Sequence, residues 1–478
     1  MLGYGSEYFS PGRRRFLKVK PTTLEYGYPR RNAFRQPVLE ALLRERLADH
    51  KRATARFETE LVGLSQSDAG VTATLRSGDR GKHEVTCDYL IGCDGSRSFV
   101  RQRLDIAMEG STFNERWLIV DLEGTSDHSR DTKVYCDPSR PCLSLPGPHG
   151  TRRFEFMLHE EEGDEQVLNP ENVASLLRSH GEGPESTIRR KVVYAFHARM
   201  AARWRCGKMF LAGDAAHLMP PFAGQGMNSG IRDAHNLAWK MAAIVKRELG
   251  PALLDTYEAE RRGHAADMIE LAVRMGQVMM PRTRTRAFAL QTFFRMLALY
   301  PAARSYFAEM KYKPKPRFRQ GFLINSGQPH EHSLVGALFP QALVATARGY
   351  QLLDDVLGDG FSLVAPPGTS TQLLQGVDAA RGLKARLVAV LGREDTSTTA
   401  DPIITVRDVR GDIATLLAPY PIGLYLLRPD RYVAACFAPH QSATMWKDIE
   451  MLCGSTWALM DHPPSAVRHA ESPEPVGP

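Results

Sequence analysis

The densest group of residues able to do chemistry in this chain lies between Gly213 and Asn236, in the string GDAAHLMPPFAGQGMNSGIRDAHN. An apolar run, Met209-Phe210-Leu211-Ala212, ends at Gly213-Asp214, the pattern of a buried strand that delivers a carboxylate at its tip. Pro220, Pro221, Gly224, Gly226 and Gly230 follow. A helical pattern comes next, with Ala234, Leu237, Ala238, Met241, Ile244 and Val245 on one face. A strand, a glycine-rich turn and a helix N-terminus together aim backbone N–H groups at an anion or an electron-rich ring. A carboxylate at the strand tip can accept a sugar hydroxyl.

Two further strings have the same character. Asp88–Arg101, DYLIGCDGSRSFVR, reads as an apolar strand, an Asp94-Gly95 turn and the start of a basic helix ending at Arg101. Asp-Gly alone is only a turn signal; the Ser-x-Val-Arg continuation makes it specific. Pro29–Pro37, PRRNAFRQP, leads into a helix predicted over Pro37–His50, with Leu39, Leu42, Leu43 and Leu47 on one face.

In this order the three strings resemble the flavin-binding motifs of the class A flavoprotein monooxygenases, the para-hydroxybenzoate hydroxylase and phenol hydroxylase group. The resemblance implies FAD as cofactor and NADH or NADPH as co-substrate. It assigns Gly213 and Asp214 to the ribityl chain, and Pro220, Pro221, Gly224, Gly226, Met227 and Asn228 to the lining of the isoalloxazine ring. Asp94, Gly95 and Arg101 take the places that serve FAD and the pyridine nucleotide, and Gln36 the place of a flavin side-chain contact. The physics agrees, because reduced flavin carries negative charge that a helix N-terminus at Gly226–Asn228 would stabilise.

The implied fold is α/β: a glutathione-reductase-like Rossmann FAD domain, a β-rich substrate domain and a thioredoxin-like C-terminal domain. A complete member opens with Gly-x-Gly-x-x-Gly and an acidic residue about 20 positions on. No Gly-x-Gly-x-x-Gly occurs in these 478 residues. The FAD domain is therefore expected to be truncated at its N-terminus by a βαβ unit, and the chain as it stands to hold FAD poorly and show little activity.

The implied reaction is hydroxylation of a phenol: NAD(P)H reduces FAD, O₂ adds at flavin C4a, and the hydroperoxide oxidises the carbon ortho to the hydroxyl. The site must exclude water so that this oxidant is not wasted. A substrate carboxylate would call for an arginine. Arg152 and Arg153 sit on a predicted strand with opposite facing, so at most one points into a pocket, and a surface ion pair with a neighbour such as Glu155 competes with that role. His217, beside the flavin loop, reads as a packed core histidine ahead of a base. No phenol-deprotonating residue is assigned.

The strings Tyr28–Phe34, Arg152–Met157, Leu253–Tyr257 and Leu427–Ala434 resemble the 3-(3-hydroxyphenyl)propanoate hydroxylase branch most. Phenol, resorcinol, 3-hydroxybenzoate and polyketide hydroxylases remain alternatives, as do a related FAD halogenase or epoxidase and an inactive product unable to hold FAD.

Composition narrows the rest. Hydrophobic residues make up 43% of the chain, ordinary for a globular protein of two to four domains. A net charge of +7 is interspersed apart from Arg13–Arg15, Lys18 and Lys20, and without interleaved aromatics that run reads as an exposed face ahead of a nucleic-acid contact. Seven cysteines, never spaced Cys-x-x-Cys, argue for a reducing cytoplasmic setting, without zinc or a disulfide framework. No apolar stretch reaches the length of a membrane span.

Five segments are expected. Residues 1–105 and 206–330 form the FAD domain, 106–205 a substrate sheet, 331–462 the thioredoxin-like unit, and 463–478 an unstructured tail. A meander over Phe57–Leu64, Gly70–Arg76 and Lys82–Asp88 precedes the substrate sheet. Long helices over Leu253–Met280 and Arg286–Met310, the second interrupted at Pro301, carry Met275, Met279, Met280 and Met296 as packing residues. The resemblance gives these helices the subunit contact of a homodimer. Strands over Phe361–Ala365, Arg386–Leu391, Ile422–Leu427 and Arg431–Phe437 and a helix over Ser442–Cys453 complete the last unit.

Overall fold

The computed structural model describes residues 3–451 except 79–80, 325–331, 370–373, 375–382, 396–401, 421–422, 442–443, 446 and 449–450. Much of the helix expected over Ser442–Cys453 and the tail expected over 463–478 lie outside the described residues.

Among the described residues four sheets organise the fold. The largest has eight strands around the sixteen-residue strand Met108–Glu123, which pairs antiparallel with Thr151–Met157 on one side and with Thr187–Ala201 on the other. The middle of this strand is covered on both faces, with Trp117, Leu118, Ile119 and Val120 all buried, Trp117 in one core cluster and Leu118, Val120 and Leu122 in another. Arg152 and Arg153 lie on a strand as read from the sequence, but two corrections apply. Ser6–Phe9 and Arg15–Val19, expected in the flavin part, close this sheet through a parallel pairing of Ser6–Phe9 with Thr132–Tyr135. The fifteen-residue strand Thr187–Ala201 was not foreseen, because its Arg-Arg-Lys stretch hides the alternation.

The meander forms as three antiparallel strands, Thr59–Ser67, Gly70–Ser77 and Gly81–Cys87. A short sheet pairs Leu90–Gly92 in parallel with Met209–Leu211. The seven-stranded sheet of the last unit is mixed, with Ser362–Ala365, Arg386–Leu391 and Ile404–Asp408 mutually parallel and Leu424–Leu427 and Val433–Phe437 antiparallel beside them.

The helices carry the surprises. Gln36–Ala48 is a helix, yet it buries none of its residues: Val38, Leu42, Leu43 and Leu47 are all exposed. The long helix runs over Thr256–Met279, and the next breaks into Arg284–Leu297 and Pro301–Ala308, with Pro301 at the first position of the new helix, where its missing N–H costs nothing. Met279 is buried and Met275 and Met280 pack against the same cluster, whereas Met296 is exposed. Among the described residues no helix is long and apolar enough to cross a membrane.

The long helix Thr256–Met279 joins these parts through a buried polar stripe at Tyr257, Glu260, Arg261 and His264, spaced i, i+3, i+4 and i+7 on one face. Glu260 receives Arg428 from the last unit through two hydrogen bonds, 2.8 and 2.7 Å, and Lys240 at 2.8 Å. It also accepts Asn236 Nδ2 at 2.7 Å and the Phe322 backbone N–H at 2.8 Å. Arg428 grips Asp430 at 2.6 Å and lies over the rings of Trp239 and Phe318, 5.2 and 5.0 Å from their centroids. Two acids and two bases are thus buried together and neutralise one another. Burial opposes ionisation of Glu260, but Arg428 and Lys240 outweigh it and hold the carboxyl down at about 2.

Arg428→Met would strand two buried carboxylates with a single ammonium. It is expected to lower unfolding free energy by about 3–5 kcal/mol, measured as a fall in the urea midpoint followed by tryptophan fluorescence. Because the folded Glu260 titrates below the unfolded value of about 4.3, its contribution is intact above that pH and lost as pH falls toward 2. That acid sensitivity should shrink in the variant.

Candidate cofactor site

The parallel register Leu90 to Met209, Ile91 to Phe210 and Gly92 to Leu211 brings the two strand tips side by side, and the Ala212 N–H donates to Gly92 O at 3.0 Å. Asp94-Gly95 and Gly213-Asp214 therefore emerge at the same C-terminal edge, where open α/β sheets place their ligands. Two strings separated by more than a hundred residues become one site.

The Asp94-Gly95 turn is built for its place. Gly95 has φ +79°, a left-handed conformation that glycine adopts without strain. Asp94 Oδ2 accepts the Val100 N–H at 3.0 Å, and Ser98 Oγ caps the following helix, Phe99–Arg103, at the Arg101 N–H. Arg101 is buried and donates to Ala215 O at 3.0 Å and Ser96 O at 2.8 Å. Its guanidinium clasps one loop to the other, so its part in this site is positioning.

Asp214 is exposed at the tip of the second strand. The loop behind it is fixed by Asp233, fully buried on the helix Gly226–Val245. Asp233 accepts from the Gly213 N–H at 3.1 Å, pairs with His217 Nε2 at 2.6 Å and receives Arg261 Nε at 2.9 Å. Burial disfavours its charge, but His217 and Arg261 more than compensate and keep it ionised. His217, with no exposed surface and its ring centroid 5.1 Å from that of Trp204, is a packed structural residue.

Sequence reading missed Asp233 and Arg261. The helix was assigned an apolar face from Ala234 to Val245, yet Ala234, Ala238 and Val245 are exposed, and the buried side carries Ser229, Asp233, Asn236, Leu237 and Lys240. The available signal was polar residues at i, i+4, i+7 and i+11 of a helix that must be covered, a pattern that hydrophobic periodicity passes over.

The ring-lining string folds as predicted types in a tight arrangement. Pro221–Ala223 makes a short 3₁₀ turn closed by Gly224, whose φ is +61°. Phe222 points into an aromatic wall of the large sheet, its ring 5.9, 5.7 and 5.8 Å from Phe113, Trp117 and Phe196. Gly226 then opens the helix with no side-chain cap and no acidic residue in its first turn, leaving the positive end of the helix with Met227 and Asn228 exposed. A Cβ on Gly230 would stand 3.3 Å from Gly213 Cα, so this helix packs backbone against backbone on the strand tip. That contact sets the uncapped N-terminus beside Asp214.

Other candidates fall elsewhere. Gln36 is exposed at the first position of its helix and donates to Glu40 at 2.8 Å. Arg152 is corrected: it is buried, paired with Asp127 at 3.3 Å, and its donors are spent on Ser144, Ser129 and Asp127. Arg153 points the other way and forms a partly exposed ion pair with Asp121, its cross-strand partner, at 2.6 and 3.1 Å, not with Glu155. Arg152 keeps no free face for substrate, and Arg153 is engaged by Asp121 while its side chain stays partly exposed.

Together, an exposed carboxylate at a strand tip, glycine-built turns and an uncapped helix end fit the ribityl and ring half of FAD. Asp214, Gly213 and the Gly224–Asn228 turn are the residues that would hold it.

Comparison with known proteins agrees. The FAD binding domain family matches residues 5–272, and the HcaD C-terminal domain family matches residues 336–451. The chain is 36% identical over 446 residues to a 3-(3-hydroxy-phenyl)propionate/3-hydroxycinnamic acid hydroxylase of Escherichia coli O81 (strain ED1a), covering 91% of this chain and 80% of that protein. The flavin-dependent monooxygenase PieE, solved with FAD and substrate, superposes with a TM-score of 0.75 at 22% identity, over 95% of this chain and 87% of that one. OxyS anhydrotetracycline hydroxylase from Streptomyces rimosus gives 0.66 at 26% identity, over 87% and 79%.

Asp214→Ala is expected to weaken FAD binding by about 1.5–3 kcal/mol, the worth of a hydrogen bond to a charged group, as measured by flavin fluorescence titration. Arg153→Met should change neither FAD affinity nor substrate KM by more than about twofold, since exposed pairs are worth at most about 1 kcal/mol.

Proposed function

The chain belongs to the FAD-binding-domain family of flavin-dependent aromatic monooxygenases, and from that premise we propose that it hydroxylates a phenolic acid of the 3-(3-hydroxyphenyl)propanoate type, ortho to the hydroxyl, using NADH or NADPH and O₂. The observation that carries this reading is the meeting of the two loop tips and the uncapped helix turn against an aromatic wall. The name of the E. coli relative supports the substrate class.

FAD, when bound, supplies the redox and oxygen chemistry. The protein supplies the rest. Asp214 would accept a ribityl hydroxyl, and the N–H groups opening at Gly226–Asn228 would stabilise the negative charge that the ring gains on reduction. Phe113, Trp117, Phe196 and Phe222 form an apolar wall next to that turn, which keeps water from the reacting atoms. Arg101 and Asp233 hold the two loops in register with each other. The last unit, which has no Cys-x-x-Cys, serves packing through Arg428.

We further propose a homodimer through the helices Arg284–Leu297 and Pro301–Ala308, which with the turn between them expose Phe288, Phe293, Met296, Leu299 and Tyr300. Sedimentation of a single species at monomer mass would overturn it.

With FAD at saturation, 3-(3-hydroxyphenyl)propanoate is expected to accelerate NADH or NADPH oxidation more than phenol, resorcinol or 3-hydroxybenzoate, and to yield the ring-hydroxylated product. A stronger response to one of the others moves the substrate and leaves the class. The competing reading, an inactive product unable to hold FAD, is separated by flavin content: protein that stays colourless after saturation with FAD and desalting sinks the proposal.

A further inference from the structure

Behind the ring-lining turn lies a group of cations that nothing in the mechanism uses. Lys313 Nζ donates to Gln225 Oε1 at 2.7 Å, and Gln225 in turn bonds Ala223 O and Gly224 O at 2.9 and 3.1 Å. Lys313 is thereby tied to the turn itself. Arg232, on the helix that starts at this turn, and Arg31 share its surroundings, and all three side chains are half-buried. Arg31 hydrogen-bonds the Ser6 hydroxyl. Among the described residues no carboxylate forms an ion pair with Arg31, Arg232 or Lys313. The nearby acids are committed elsewhere: Asp233 to His217 and Arg261, and Glu25 to Arg30 and Lys315.

A second feature points to a ligand. His264 is 4% exposed, and neither of its ring nitrogens has a hydrogen-bond partner, although buried polar groups are normally satisfied. It follows Arg261 by one turn of its helix, and Arg261 bonds Asp233 and Ser229 O on the flavin helix, so His264 lies beside the stretch that carries Arg232. Burial and these positive charges push Lys313 down to about 8 and His264 to about 3. Uncompensated cations under partial cover are costly unless an anion joins them.

We propose that Arg31, Arg232, Lys313 and His264 frame a carboxylate site joined to the flavin turn through Gln225, and that it takes the carboxylate of the aromatic acid. The proposal rests on the substrate class given above. It also explains why Arg152 and Arg153 can be spent on structure: the acid-recognising cations come from the first helix approach, the flavin helix and the segment after Pro301–Ala308. Guanidinium and ammonium groups with no carboxylate partner of their own give charge-assisted hydrogen bonds to a carboxylate, and His264 adds a neutral donor.

The test uses the protein supplied with FAD. Acetylation of Lys313 by acetic anhydride is followed by peptide mass spectrometry with 3-phenylpropanoate or the uncharged 3-phenylpropanol present. The acid should slow labelling about fivefold or more and the alcohol should not, and Arg232→Gln should lose most of that protection. In turnover, KM for 3-(3-hydroxyphenyl)propanoate should rise about tenfold in Arg232→Gln and in Lys313→Met, with KM for resorcinol and FAD affinity within about twofold of wild type. Equal protection by acid and alcohol would overturn the site. A loss of FAD affinity with unchanged KM values would overturn it too, by giving the cations to the cofactor. Protection by the acid in a protein that turns over no phenol would keep the anion site and reject the substrate class, whereas turnover of the acid without protection would do the reverse.

Discussion

One face of one helix holds this molecule together. Along its polar stripe, Tyr257, Glu260 and Arg261 each meet a different part of the chain. The Tyr257 hydroxyl donates to Leu211 O at the end of the second motif strand, 2.8 Å away. Glu260 takes Arg428 from the last unit, and Arg261 takes Asp233, which holds the Gly213 loop. Buried charge of this kind is weak evidence for added stability, because desolvation offsets much of the Coulomb gain. Its value lies in specificity. An apolar stripe would tolerate sliding, whereas each of these bonds is made in only one register, and the loss of a partner leaves a charge buried alone.

The cofactor site inherits its geometry from that arrangement. Asp214 and the uncapped helix end are exposed and individually ordinary. Their separation and relative direction are set by Asp233, by the Gly213–Gly230 backbone contact and by Arg101 bridging the two loops. A site that must stabilise developing negative charge gains from donors already fixed in place, since no reorganisation is then needed during reaction. Here the buried side chains of Asp233 and Arg101 do the fixing, while Asp214 and the helix end proposed to meet the cofactor stay exposed.

Electrostatics divides the molecule's arginines into three kinds of work. Arg101, Arg152 and Arg261 satisfy buried carbonyls or carboxylates, Arg153 forms an edge pair with Asp121, and Arg31 and Arg232 retain unspent charge beside Lys313. Nothing in residue type separates these roles. Only the count of partners around each guanidinium does.

The sequence by itself determined the local pieces: the two apolar strands with their Asp94-Gly95 and Gly213-Asp214 tips, the meander, the break at Pro301 and the glycine-built turn at Gly224–Gly226. Each of these rests on a short-range rule, an apolar run, a missing N–H or a left-handed φ, that a few consecutive residues suffice to state. The tertiary structure alone decided that Ser6–Val19 joins the large sheet, that the flavin helix buries Asp233 and Lys240 and leaves Ala234 and Ala238 outside, and that Arg152 is a structural residue. These are pairing and burial outcomes between distant segments. A buried charge is tolerable only where its partner arrives from elsewhere in the chain, and that partner, Arg428 for Glu260 or Arg261 for Asp233, cannot be identified from the residues beside it.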